Sequence, residues 1–136
     1  MSMSNTNWFG VNMSGFFIDS RVALIQVIIA RCWGLKSADL RGPSRAQNHC
    51  HARWIAILLC RELGMTLVDI GNSFGGRDHK TIDHGLKKAQ EMIDQEPELA
   101  NLVASVGTAV KSQNLSWMAK FHGAAALIPS INPGAN

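Results

Sequence analysis

Four consecutive side chains, Asp78-His79-Lys80-Thr81, set a carboxylate, an imidazole, an ammonium and a hydroxyl side by side directly after Gly75-Gly76-Arg77. Each can exchange hydrogen bonds with the edge of a base pair. A carboxylate accepts from the cytosine amino group, and an imidazole donates to an acceptor or packs on a thymine methyl. An ammonium favours guanine O6 and N7 or a phosphate, and threonine offers both a methyl and a hydroxyl. Catalytic use of Asp78, His79 and His84 is the weaker reading, because no metal, nucleophile or nucleotide motif accompanies them, and no enzyme is expected. Gly71 to Asp78 has the glycine spacing of a phosphate loop but carries Arg77-Asp78 where Lys-Ser or Lys-Thr is required, so it cradles no ATP.

The flanking residues supply the elements that would hold this tip in place. Thr66 and Asp69 have capping spacing, so a helix starts at about Leu67, and Leu67, Ile70 and Phe74 form one apolar stripe along it. Gly75-Gly76 provide the permissive backbone of a sharp reversal, and Asp78 can cap the helix that follows. Ile82, Leu86, Ala89 and Ile93 lie on one side of that second helix; Lys80, Thr81, Asp83, His84, Lys87 and Lys88 occupy the remainder. The pattern is a helix-turn-helix that directs Arg77, Asp78, His79, Lys80 and Thr81 toward a DNA groove.

The stretch Gly75-Gly76-Arg77-Asp78-His79-Lys80-Thr81-Ile82-Asp83-His84-Gly85 resembles the signature of the C-terminal DNA-binding domain (domain IV) of the bacterial replication initiator DnaA, whose usual pattern is Gly-Gly-Arg-Asp-His-Thr-Thr-Val-x-His-Ala. Ala52 to Ala56, Arg61 to Leu63 and Leu67 to Gly71 are similar to the same domain in order and spacing, and the likeness covers roughly residues 20 to 112. The resemblance implies an all-α, Trp-repressor-like fold and base contacts by Asp78, His79 and Thr81. Arg45 falls where the family carries an arginine that enters the adjacent minor groove, where narrow A·T-rich DNA attracts a guanidinium. Lys80 departs from the family's threonine, which points to a shifted target box. Arg41, Arg53, Arg77, Lys87 and Lys88 read as phosphate contacts that position the domain. His51 falls where the family often has a basic residue, so a backbone contact strengthened by protonation is expected there.

Bulk properties agree. The net charge is only +3, but nine of the thirteen Lys and Arg lie between Lys36 and Lys88 against five acids, so positive charge is gathered around the motif. Beyond it, Glu91, Asp94, Glu96 and Glu98 form an acidic stretch expected to point away from DNA. Arg21 and Arg31 bracket the longest apolar run, residues 22–30, which is far short of the roughly 20 residues a membrane helix needs. With no secretory signal and three cysteines outside any disulfide spacing, the expected location is cytoplasmic and nucleoid-associated, with free thiols. His49-Cys50-His51 lacks a second ligand pair, so neither metal nor cofactor is expected.

The remaining elements are a first helix capped by Asp19 or Ser20 and ending at Gly34, and a short turn over residues 37–40. A basic loop over residues 41–45 leads to a helix from about Ala46 to Leu63, and a last helix begins near Pro97. This gives a compact bundle of about six helices over residues 19–112, between a flexible aromatic-containing segment (1–18) and a tail (113–136). The expected function is sequence-specific recognition of duplex DNA at a DnaA-box-like site, regulating replication initiation or transcription, without the ATPase to which initiators couple this module. The alternative is an adaptor that uses the same fold to hold a protein partner such as the initiator.

Overall fold

The computed structural model describes residues 20–112. The 1–18 segment, the Asp19 cap and the 113–136 tail lie outside the described residues. Six helices, and no strand, are found among those described: α1 (Ser20–Cys32), α2 (Ser37–Arg41), α3 (Gln47–Glu62), α4 (Leu67–Ser73), α5 (His79–Gln95) and α6 (Pro97–Ser112). The breaks fall where the backbone chemistry requires them. The Asp39 carboxylate accepts from the Lys36 N–H at 3.0 Å to start α2, and the Thr66 hydroxyl accepts from the Asp69 N–H at 3.1 Å to start α4. Proline opens α6, where its missing N–H is no loss.

Each helix contributes a stripe to one core. Ile25 and Ile29 of α1, Ile55 and Leu59 of α3, Ile70 of α4 and Ile82 of α5 are at most 1% exposed. Phe74, just past α4, is fully buried. Burial of a side chain of this size stabilises by about 1.5–3 kcal/mol. α6 closes the core with Leu99, Leu102, Val103 and Val106. None of Cys32, Cys50 and Cys60 is in a disulfide, and burial pushes the Cys32 thiol up to about 11. Among the described residues no helix is long and apolar enough to cross a membrane.

The packing of α5 matters most for function. It lies chiefly on α3 and also touches α4 and α6. Ile82, Gly85 and Ala89 are buried, while residues 78 to 81 are all exposed. At 17 residues α5 is about 25 Å long, which leaves its amino-terminal turn clear of the acidic end near Glu91 and Asp94.

Candidate nucleic-acid interface

The reversal between α4 and α5 is built on glycine in two different ways. Gly75 and Gly76 adopt φ of +77° and +78°, the left-handed region that a side chain disfavours. Gly71, inside α4, is needed for closeness instead: its carbonyl accepts from both Gly76 N–H and Arg77 N–H at 3.0 Å, and a Cβ there would collide with the Arg77 carbonyl oxygen. A Cβ on Gly75 would likewise strike the Arg41 carbonyl, so the turn presses against the end of α2 and the basic loop.

Guanidinium groups tie that loop to the turn. Arg53, on α3, is only 6% exposed; it donates from Nε to Leu40 O at 3.0 Å and from one terminal nitrogen to Gly42 O at 3.3 Å and Ser44 O at 3.0 Å. Arg77 donates to Phe74 O at 2.6 Å and also to the Gly42 carbonyl. Arg41 donates to Gln26 Oε1 at 2.6 Å, and the fully buried Gln26 passes a hydrogen bond to Ser73 O at 2.9 Å. Burial, then the nearby Arg53 charge, pushes Arg77 below the ordinary arginine range. Sequence reasoning put Arg53 and Arg77 at phosphates. The structure puts Arg53 beneath the loop, engaged by carbonyls, and Arg77 half-buried across the turn.

What this framework holds out to solvent is the tip of α5. The Asp78 carboxylate accepts from the Thr81 N–H at 2.9 Å, and that bond holds it below the usual carboxylate range, with smaller help from His79 and Lys80. Asp78, His79, Lys80 and Thr81 are contiguous and exposed. Lys80, His84 and Lys87, spaced i, i+4 and i+7, continue as one stripe opposite the buried face. Lys87 pairs with Asp83 at 3.0 Å and Lys88 with Glu91 at 3.7 Å; both pairs are solvent-exposed and yield readily to a stronger anion. On the other side, Arg45 is exposed on the loop. Between loop and helix runs an open groove of about 770 Å³, with Arg45, Arg53, Trp54, Arg77, Thr81 and His84 among its lining residues.

Comparison with known proteins finds relatives of this sequence. The family model described as the bacterial dnaA protein helix-turn-helix matches residues 22–89. The chain belongs to that family. The chromosomal replication initiator protein DnaA of Pelobacter propionicus is 39% identical over 89 residues, 65% of this chain and 20% of its own length. The same protein of Geobacter sulfurreducens is 42% identical over 83 residues, covering 60% of this chain and 19% of the relative, and that of Treponema denticola is 34% identical over 91 residues, covering 66% and 19%. The chain thus spans about a fifth of the length of these curated relatives.

Against the DnaA pattern three positions depart: Ile82 stands for valine and keeps an apolar side chain in the core, and Lys80 and Gly85 each have a setting of their own. Lys80 stands for threonine and is exposed at the tip. Gly85 stands for alanine and is buried, because Trp54 Cδ1 and Ile57 Cδ1 crowd the space a Cβ would take, at 3.0 and 3.3 Å. Trp54 is the residue that sequence reasoning passed over: its half-buried indole has His51 on one side, at 5.6 Å between ring centroids, and His84 on the other, at 6.0 Å and edge-on. His51 is itself half-buried, and desolvation lowers its pKa against a smaller opposing pull from Glu96. Arg61 donates to Met65 O at 2.6 Å at the end of α3.

Proposed function

We propose that this chain binds duplex DNA sequence-specifically, with the amino-terminal turn of α5 in the major groove, Arg45 in the adjacent minor groove, and the intervening strand in the channel between them. The observation that carries the reading is the joining of two exposed arms, the Asp78–Thr81 tip and the Arg45 loop, across one groove by part-buried guanidinium bonds. Asp78, His79, Lys80 and Thr81 read base edges, and His84, Lys87 and Lys88 meet phosphates. Arg53 and Arg77 act as positioning residues. The target is a DnaA-box-like site, and its occupation regulates replication initiation or transcription; membership of the DnaA family supports that setting.

Selection of bound sequences from a random duplex pool, followed by titration of the selected box, tests the proposal. One box should emerge, with affinity falling as salt rises by a log–log slope of about −0.9 per phosphate contacted. Equal affinity for the pool and the box would reject sequence-specific recognition.

Asp78 has two roles that substitution separates. Asparagine caps helices as well as aspartate does, so Asp78→Asn should unfold at the native temperature while losing discrimination at one base pair, by a factor of about 5–100. Asp78→Ala should lose that discrimination and thermal stability together. Retained specificity in Asp78→Asn would reduce Asp78 to a cap.

At Lys80 the expected effect is a change of preference. An ammonium favours guanine O6 and N7 where threonine would favour a thymine methyl, so Lys80→Thr should change the selected base at a single position of the box. Identical selections for the two proteins would place Lys80 away from the base edges.

A further inference from the structure

The lining of the groove includes one aromatic side chain besides histidine, that of Trp54. Trp54 projects from α3 against α5 at the level of Gly85, and it lines the groove together with Thr81 and His84, two residues of the exposed face of α5. Its indole is half-buried, not sealed in the core. Neither histidine at its edges is joined to it by a hydrogen bond; both contacts are between rings. Gly85 leaves room for it there: with alanine, the residue in the DnaA pattern, the new Cβ would stand 3.0 Å from the indole, which would have to give by a few tenths of an ångström.

We propose that Trp54 is a DNA-contacting residue, its indole packing on the deoxyribose-phosphate strand that passes between the Arg45 loop and α5. The inference rests on the DNA-binding reading and adds a specific contact to it. An aromatic ring on a groove wall offers a flat apolar face to a sugar and an N–H to a phosphate oxygen, and it carries no charge. Trp54 therefore adds affinity that salt does not screen, beside the cations at the rims. Gly85 acts through Trp54 as a positioning residue.

Photocrosslinking of the native protein to its selected box, substituted with 5-bromodeoxyuridine, reads the contact without altering the chain. Trypsin cuts after Arg53 and Arg61, so Trp54 lies in a peptide of its own, residues 54–61. A DNA adduct on Trp54 is the expected result. Adducts on α5 and on the Arg45 loop with none on Trp54 would overturn the inference and leave the DNA-binding reading standing; absence of any complex with duplex would overturn both.

A mutant cycle adds the energetics. Trp54→Ala should weaken binding to the box about 10-fold and Trp54→Phe about 3-fold, with an unchanged salt slope because an uncharged side chain releases no counterion. Gly85→Ala should weaken binding severalfold alone and have no effect when combined with Trp54→Ala. Full affinity in a folded Trp54→Ala protein, or equal Gly85→Ala losses with and without Trp54, would overturn it.

Discussion

Gly71→Ala should be among the most damaging single-atom additions to this protein, and it reverses the usual rule. In a helix interior alanine is favoured over glycine by about 1 kcal/mol. Here the added methyl would collide with the Arg77 carbonyl, while the Gly71 carbonyl must still accept from Gly76 and Arg77. Both obstacles are backbone, so the turn itself has to move. A loss of about 3 kcal/mol, at the upper end for overpacking, would lower Tm by more than about 12 °C in a domain of this size. Two neighbours calibrate the result. Gly75→Ala combines a positive φ with a collision at the Arg41 carbonyl, whereas Gly76→Ala meets nothing nearby and bears only the cost of its φ, about 1–2 kcal/mol. Circular-dichroism melts should therefore rank Gly76→Ala as the mildest of the three. A Gly71→Ala protein as stable as the native one would show that α5 is not held by this close approach.

Much of the architecture was legible because helix boundaries are set locally. The Thr66 and Asp78 caps, the double-glycine turn and the proline opening of α6 all stand where side-chain chemistry places them. Apolar spacing likewise identified the buried faces, Ile82 and Ala89 on α5 being fully buried. The exposed tip was legible for the same reason: nothing apolar interrupts residues 78 to 81. What one-dimensional pattern could not convey was the use of charge between elements distant in sequence. Arg53 and Arg77 read as phosphate contacts because most of the carbonyls that bind them, on residues 40 to 44, lie 9 to 36 positions away in sequence. Gln26, for which the sequence offers no signal, links Arg41 to Ser73 from inside the core. Trp54 had one faint signal, the glycine at position 85 where the family pattern has alanine, and its meaning depends on α3 lying across α5.

The role of Arg53 can be decided by measuring stability and salt dependence on the same variants. A residue that merely contacts a phosphate can be removed without effect on folding, and its loss reduces the salt slope by about 0.9. Arg53 is placed to do the opposite. Truncation to alanine would leave Leu40 O without a donor in a buried setting and free the Gly42 and Ser44 carbonyls to drift, on the order of 2–3 kcal/mol of stability. The loop carrying Arg45 would then lose its fixed distance from α5, so affinity for the box should fall at least about 10-fold while the remaining phosphate contacts keep the slope nearly unchanged. Arg53→Lys sharpens the distinction, because it preserves the charge but offers a single ammonium where a planar fork reaches three carbonyls. It should behave more like Arg53→Ala than like the native protein in both Tm and affinity. A native-like melt combined with a shallower salt slope would instead assign Arg53 to the DNA backbone, and would require its side chain to leave the loop on binding.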